Sequence, residues 1–324
     1  VKDLRLSINE KALELVKEAI EKSYELNLNV EKHPSGATII DAGIKACGSY
    51  AAGKIITEIC LGGLGKATVT FISYGTIALP AIYVETGRPA IATLGAQLAG
   101  WRLKIEDYFA MGSGPARALA LKPRDLYEEI GYRDDAESAV LVLEAEATPP
   151  RNVLNYIANE CKVKLENLYI IVAPTASLAG AVQISGRVVE TGIHKLSKIG
   201  LDPKKIVHGC GCAPIAPIHP KAAKAMGRTN DSLIFAGIAY YTVDYEDDEE
   251  LREIVKEAPS SASKDYGKPF YELFEEADFD FYKIDPNLFA PAMIFVNNIK
   301  SGVTYKAGKI NVEALKQSMN IVES

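Results

Sequence analysis

The sequence predicts a mixed α/β (α+β) fold in two α/β-type halves, and three observations carry that expectation. A charged amphipathic stretch opens the chain, with Leu13, Val16, Ile20 and Tyr24 at helical spacing. Short apolar runs replace it from Leu28 onward. Beyond about Leu126, β-branched or aliphatic runs alternate with helical segments, the pattern of β-α-β units.

Each element has its own signal. Ser7 followed three residues later by Glu10 is a capping box, so the first helix should begin there. After the turn Pro34-Ser35-Gly36, Ala37 to Ile40 reads as a strand, and Thr68 to Tyr74 alternates before Pro80 to Val84. The first third thus reads as a helix on a largely antiparallel sheet. Further on, the strand-like runs Ala139 to Leu143, Leu168 to Ala173 and Ile206 to His208 are interleaved with helical Arg151 to Cys161 and Ala176 to Leu196. KPRDLYEEIGYRDDAES, Lys122 to Ser138, is the best candidate linker, which divides the chain into domains at 1–125 and 126–324. The acidic run Asp244 to Glu250 reads as carboxylates at a solvated helix N-terminus.

Composition narrows the function classes. The 324 residues are 48% hydrophobic and 24% charged, which argues against disorder, and no apolar run is long enough to cross a bilayer. Surface scaling for this size buries about three-quarters of the extended chain's area, enough for a substantial core. A net charge of −6 without a Lys/Arg block argues against a nucleic-acid partner. The charged start VKDLRLSINEKALELV has no signal-peptide character, so a soluble, cytoplasmic protein is expected. Of five cysteines, Cys47, Cys60 and Cys161 read as isolated small residues, not as a disulfide framework.

Several segments could carry chemistry. YFAMGSGPARALA, Tyr108 to Ala120, places Gly112, Ser113 and Gly114 before a short helical pattern with Pro115 in its first turn. Exposed N–H groups there, with Arg117, could hold a phosphate or carboxylate; the alternative is a tight turn before a buried helix. The segment is neither a P-loop nor a dinucleotide fingerprint. In APTASLAGAVQISGRVVETGIHKL, Ala173 to Leu196, the interior glycines Gly180 and Gly186 need a packing or access reason. Arg187 and Glu190 share one helical face there; spacing alone suits a surface ion pair, while burial at a cleft would make Glu190 a general base oriented by Arg187.

HGCGCAPIAPIHP, His208 to Pro220, reads as a Gly/Pro-rich loop after a strand. Its His208, Cys210, Cys212 and His219 are zinc-competent types without standard ligand spacing, so a metal-dependent hydrolase is an alternative rather than the expectation. GRTNDS, with Thr229 and Asn230, reads as helix capping ahead of LIFAGIAYY. DYGKPFYELF and DFYKIDPNLFAPA bring Lys268, Lys283 and several aromatics into turn-rich sequence that suits either a heterocycle pocket or a core edge.

Taken together, ISGRVVET, YFAMGSGPARALALKP, KAMGRTNDS, DYGKPFYE, DFYKIDPNLFAPA, TEICLGGLG and RPAIATLGAQLAGW closely resemble the methenyltetrahydromethanopterin cyclohydrolases of methanogenic and related archaea, from about Ser7 to Ser318. The resemblance implies a cytoplasmic hydrolase of one-carbon metabolism and methanogenesis that interconverts 5,10-methenyl- and 5-formyl-tetrahydromethanopterin. It further implies two α/β domains with a substrate cleft between them, a homotrimer, and no redox cofactor, tetrahydromethanopterin being the substrate carrier; the cationic amidinium of that substrate is already electrophilic, so no metal is expected either. The family's catalytic Arg and Glu correspond to Arg187 and Glu190. Gly112, Ser113, Gly114 and Arg117 become candidates for the anionic substrate tail, and Thr229, Asn230, Lys268 and Lys283 further substrate-binding candidates. Cys210 and Cys212 depart from the family pattern and leave a local metal or redox role open. A non-catalytic pterin-binding protein is the competing reading from another class.

Overall fold

Ser7 starts the first helix as the capping pattern requires, its hydroxyl accepting the Glu10 N–H at 3.2 Å. The structure, a computed structural model, describes residues 6–322. Helix α1 (Ile8–Glu21) buries Ile8, Ala12, Val16 and Ala19. It ends before Tyr24, which is 94% exposed, so the apolar stripe is one turn shorter than the spacing suggested.

The chain continues through β1 (Asn29–Lys32), β2 (Thr38–Asp41), α2 (Tyr50–Cys60), β3 (Gly65–Tyr74), β4 (Ile77–Thr86), a π-helical segment (Ile91–Gln97), β5 (Trp101–Ile105), β6 (Tyr108–Ser113), α3 (Ala116–Ala120) and α4 (Arg124–Ile130). Then come β7 (Ala139–Glu144), α5 (Arg151–Cys161), β8 (Leu168–Val172), α6 (Leu178–Ser185) and α7 (Val188–Lys198). The remainder is β9 (Ile206–Pro214), α8 (Ala222–Ala236), β10 (Ile238–Val243), α9 (Asp248–Lys256), α10 (Phe270–Glu276), β11 (Met293–Asn298), β12 (Thr304–Gly308) and α11 (Val312–Met319). This is the mixed α/β fold the sequence predicts.

Two compact units emerge, but not from a single crossing at 125/126. One contains everything described up to Lys66 together with Ile91–Gly180; the other contains Ala67–Ala90 and everything described from Ala181 onward. Strand pairing is the reason. β8 pairs in parallel with both β2 and β7, which holds the segment after residue 126 in the first unit, while β4 pairs with β9 and carries the β3–β4 segment into the second.

In the first unit the strand order is β1-β2-β8-β7-β6-β5. Ile40, Val142 and Ile171 point to one face and meet Val16 of α1 and Ile56 of α2; Ile39, Leu141 and Ile170 point to the other and meet Leu154 and Ile157 of α5. Covering both faces explains why β7, AVLVLE, is a nearly unbroken apolar run. The expected largely antiparallel sheet is instead mixed, and the strands of the first third are shared between two sheets.

The second unit has the order β12-β11-β10-β9-β4-β3, with β10 and β11 parallel. Helix α7 packs on β9 and β10. A separate apolar cluster joins Phe235 of α8, Phe270 and Phe274 of α10, and Leu315 of α11. At its edge, the buried Asp231 carboxylate accepts the Phe270 N–H at 2.9 Å and the Ser318 hydroxyl at 2.5 Å, so one side chain ties α8 to the start of α10 and to α11.

Burial pushes the Asp231 carboxyl up to about 7, against the opposing effect of those two hydrogen bonds. Between about pH 4, where an unfolded aspartate ionises, and pH 7 the folded chain retains a proton that the unfolded chain has released, so this group lowers stability as pH rises through that window. Asp231→Asn keeps an acceptor for Phe270 and removes the titration. Thermal melts from pH 4 to 8 should show the wild-type midpoint falling relative to the variant, with the variant equal or higher above pH 7.

Candidate active site

The stretch that reads as one helix from Ala176 to Leu196 is two. The N–H of Arg187 bonds back to Ile184 O at 3.0 Å as α6 closes, and the Thr191 N–H bonds to Arg187 O at 2.9 Å as α7 opens. Gly186 lies at this break, and Gly180 is required by packing: a Cβ there would stand 1.9 Å from Pro174 O. Arg187 therefore occupies the start of α7, with Glu190 in its first turn, where the helix dipole favours a negative charge.

Burial separates this pair from a surface ion pair. Arg187 Nη2 donates to Glu190 Oε2 at 2.8 Å, and the side chains are 12% and 3% exposed. Desolvating two charges opposes their attraction, so such a pair is a poor source of stability and a candidate for function. Among the described residues this is the only hydrogen bond to the Glu190 carboxylate, which leaves Oε1 open. Just before the break, Gln183 Oε1 and Ser185 Oγ are also buried without a hydrogen-bond partner among the described residues.

The pair rides on a helix seated unusually close to its sheet. A Cβ on Gly211 would come 3.0 Å from Val188 Cγ1, and one on Gly209 would come 3.0 Å from Val189 Cγ1. Tyr241 of β10 is wholly buried and donates its hydroxyl to Val189 O at 2.9 Å. Farther along α7, the buried Lys195 ammonium donates to Asn287 Oδ1, and its proton affinity is lowered mainly by burial. Tyr241, Lys195 and Gly192 were not identified from sequence. Only Gly192, an interior glycine in a helical pattern, carried a local signal.

A carboxylate with one oxygen held and the other open can exchange protons with a water or a leaving nitrogen. The family described as Cyclohydrolase (MCH) matches residues 7–319. The chain belongs to the cyclohydrolase (MCH) family. It is 50% identical over 321 residues to the methenyltetrahydromethanopterin cyclohydrolase of Methanocaldococcus jannaschii, covering 98% of this chain and 99% of that one. The enzymes of the same name from Methanococcoides burtonii and Methanothermobacter thermautotrophicus are 49% and 47% identical, each over 98% of this chain and 99% and 100% of theirs. Membership in this family makes the chain a hydrolytic enzyme.

The other candidates of this cyclohydrolase are placed differently from their sequence readings. Gly112 and Ser113 lie at the end of β6 in ladder pairs with Leu143 and Val142, and the Gly114 N–H bonds to Ala96 O at 2.8 Å. The Arg117 guanidinium is fully buried, donating to Lys122 O, Leu94 O and Ala96 O at 2.8, 3.1 and 3.2 Å. It is engaged inside the first unit and not presented as the expected exposed anion contact.

Thr229 and Asn230 are not caps: both lie inside α8 and donate to Met226 O at 3.0 and 2.9 Å. Lys268 and Lys283 form exposed pairs with Glu276 and Asp278 at 2.8 and 2.9 Å. The aromatics around them pack together at a core edge, with Phe281 stacked on Phe289 at 4.7 Å.

HGCGCAP is strand β9 and not a loop. Cys210 pairs across the sheet with Glu85 and Tyr240, and burial pushes the Cys212 thiol up to about 11. Among the described residues no three His, Cys, Asp or Glu side chains converge as a metal-ligand group, so His208, Cys210, Cys212 and His219 do not form the alternative centre.

The Arg117 geometry yields a direct test. Arg117→Met leaves at least two buried carbonyls without their charged donor and should cost about 3–5 kcal/mol. Denaturant unfolding should show that loss. Among molecules still folded, the KM for substrate should stay within about twofold, as expected of a residue that positions chain and not ligand.

Proposed function

We propose that this cyclohydrolase catalyses the reversible hydrolysis of 5,10-methenyltetrahydromethanopterin to 5-formyltetrahydromethanopterin, with Glu190 as general base and acid and Arg187 as its orienting partner. The observation that carries this reading is the buried Arg187–Glu190 pair with Oε1 left open. The names of relatives at 47–50% identity supply the substrate.

The chemistry suits one carboxylate. The methenyl carbon lies between two nitrogens of a cationic amidinium and is already electrophilic. As water attacks, a C–O bond forms and one water proton passes to Glu190. The bond from that carbon to the flanking nitrogen that does not keep the formyl group then breaks: the departing nitrogen takes the proton back from Glu190, the new hydroxyl loses its own proton to solvent, and the formyl C=O remains on the other nitrogen. The balance is one water consumed and one proton released. Arg187 holds Oε2, so that Oε1 faces the reacting atoms in a constant orientation. The glutamate's negative charge also suits the approach of a cation. The homotrimer and the cytoplasmic setting implied by resemblance belong to the same reading.

Mixing the protein with methenyltetrahydromethanopterin and following loss of the amidinium absorbance tests the activity. Binding without accelerated loss would favour the non-catalytic pterin-binding alternative. Glu190→Gln keeps the shape of the side chain but cannot take a proton, so kcat should fall by roughly 10²–10⁴ with the fold intact and KM changed far less. Arg187→Ala should lower kcat too, and the double variant should lose much less than the two single losses combined. Near-wild-type turnover in Glu190→Gln would refute the assignment.

A further inference from the structure

The Arg187–Glu190 hydrogen bond is internal to the start of α7, since its partners are three residues apart on one helix. It orients the carboxylate relative to that helix and does not place the helix in the unit. If α7 slid or rotated by a fraction of a turn, the pair would travel with it intact. Something outside α7 must fix where Glu190 stands.

Tyr241 meets that requirement. It enters from β10, is completely enclosed, and donates its hydroxyl to Val189 O at 2.9 Å, at the peptide unit that joins Val189 to Glu190. A helix-interior carbonyl already accepts an N–H from the next turn, so the tyrosine supplies a second bond and not an indispensable one. Burying a hydroxyl is costly unless it is bonded, and phenylalanine would fill the same space without that demand. The helix is shaped to receive the hydroxyl: a Cβ at Gly192 would lie 2.0 Å from it, and one at Gly209 would lie 3.3 Å from the Tyr241 ring. Burial, with the Glu190 charge adding to it, raises the phenol's proton affinity well above its usual range, so the group stays a donor throughout the working pH range.

Resting on the reading of Glu190 as the acid–base group, we propose that Tyr241 is a positioning residue: its bond to Val189 O, seated in the gap left by Gly192, sets the depth and rotation of the first turn of α7 and thereby where the Glu190 carboxylate meets the reacting atoms. Lys195, bonded to Asn287, holds the same helix farther along, so α7 is tethered at two points and Tyr241 is the tether nearest the carboxylate.

The test is a double-mutant cycle on the full-length enzyme, using Tyr241→Phe, Glu190→Gln and both, with kcat and KM measured on methenyltetrahydromethanopterin and folding followed by thermal melts. Misplacing a catalytic group by part of an ångström costs on the order of tenfold, so Tyr241→Phe should lower kcat about tenfold with KM within twofold. In the Glu190→Gln background the same substitution should change kcat by less than twofold, because no proton-accepting carboxylate remains to be placed. An equal loss in both backgrounds would make Tyr241 a general packing residue, and an unchanged kcat in the wild-type background would remove its role; either result overturns the proposal. If instead Glu190→Gln alone turns over normally, the failure belongs to the assignment of Glu190, whatever Tyr241→Phe does.

Should Tyr241→Phe fail to fold, Gly192→Ala carries the test from the helix side. Its methyl meets the hydroxyl and pushes the turn outward, so kcat should fall with KM preserved, and the loss should again vanish in Glu190→Gln. A Gly192→Ala enzyme that folds and turns over as wild type would overturn the proposal.

Discussion

The second unit depends on a backbone approach that ordinary side chains would forbid. Gly209 and Gly211 of β9 face Val189 and Val188 at separations a Cβ would reduce to 3.0 Å, and Gly192 of α7 leaves room for the Tyr241 hydroxyl. With side chains at these three positions, α7 would stand farther off its sheet and the bond from Tyr241 to Val189 O would be lost. Glycine carries an entropic cost in helices and strands, so three of them at one helix–sheet contact mark a place where position is worth more than local propensity.

That close seating gives the Arg187–Glu190 pair its character. At the same spacing on a solvated helix, the pair would contribute a few tenths of a kcal/mol and be screened by salt. Here the side chains are nearly enclosed, and the interaction is strengthened by the same exclusion of water that makes it expensive to assemble. An isolated carboxylate in this position would have no compensating charge. With Arg187 on one oxygen the other stays unbonded to the protein, an asymmetry that a symmetric two-oxygen contact would not allow.

Legibility followed the range of the interactions. The Ser7 cap and the β7-α5-β8 unit are local and were readable from spacing. The division into units was not, because the pairing of β2 with β8 joins residues about 130 positions apart and leaves no local mark. A shorter-range form of the same limit explains Arg117: Lys122 O is five residues away, but Leu94 O and Ala96 O lie 23 and 21 residues upstream in the π-helical segment, and no local pattern marks that contact. In HGCGCAP the glycines suggested a loop, whereas they serve close helix–sheet contact within a strand. Thr229 and Asn230, good capping types, satisfy themselves on Met226 O in the helix interior instead. The spacing of Arg187 and Glu190 was visible at once, but burial distinguishes such a pair from a surface bridge and spacing does not report burial.

Two carboxylates of the second unit show how partners turn the same chemical group to opposite uses. Asp231 faces neutral donors, the Phe270 N–H and the Ser318 hydroxyl, and burial outweighs them, so its proton is held up to about pH 7. Its oxygens are occupied in joining three helices, and little is left for a ligand. Glu190 is as deeply enclosed but meets a guanidinium, and only one of its oxygens is bonded to the protein. Burial alone would therefore single out both residues. What distinguishes the catalytic candidate is bonding capacity left open beside a fixed charge, because a proton can be exchanged with a substrate only by an atom that the fold has positioned without using up.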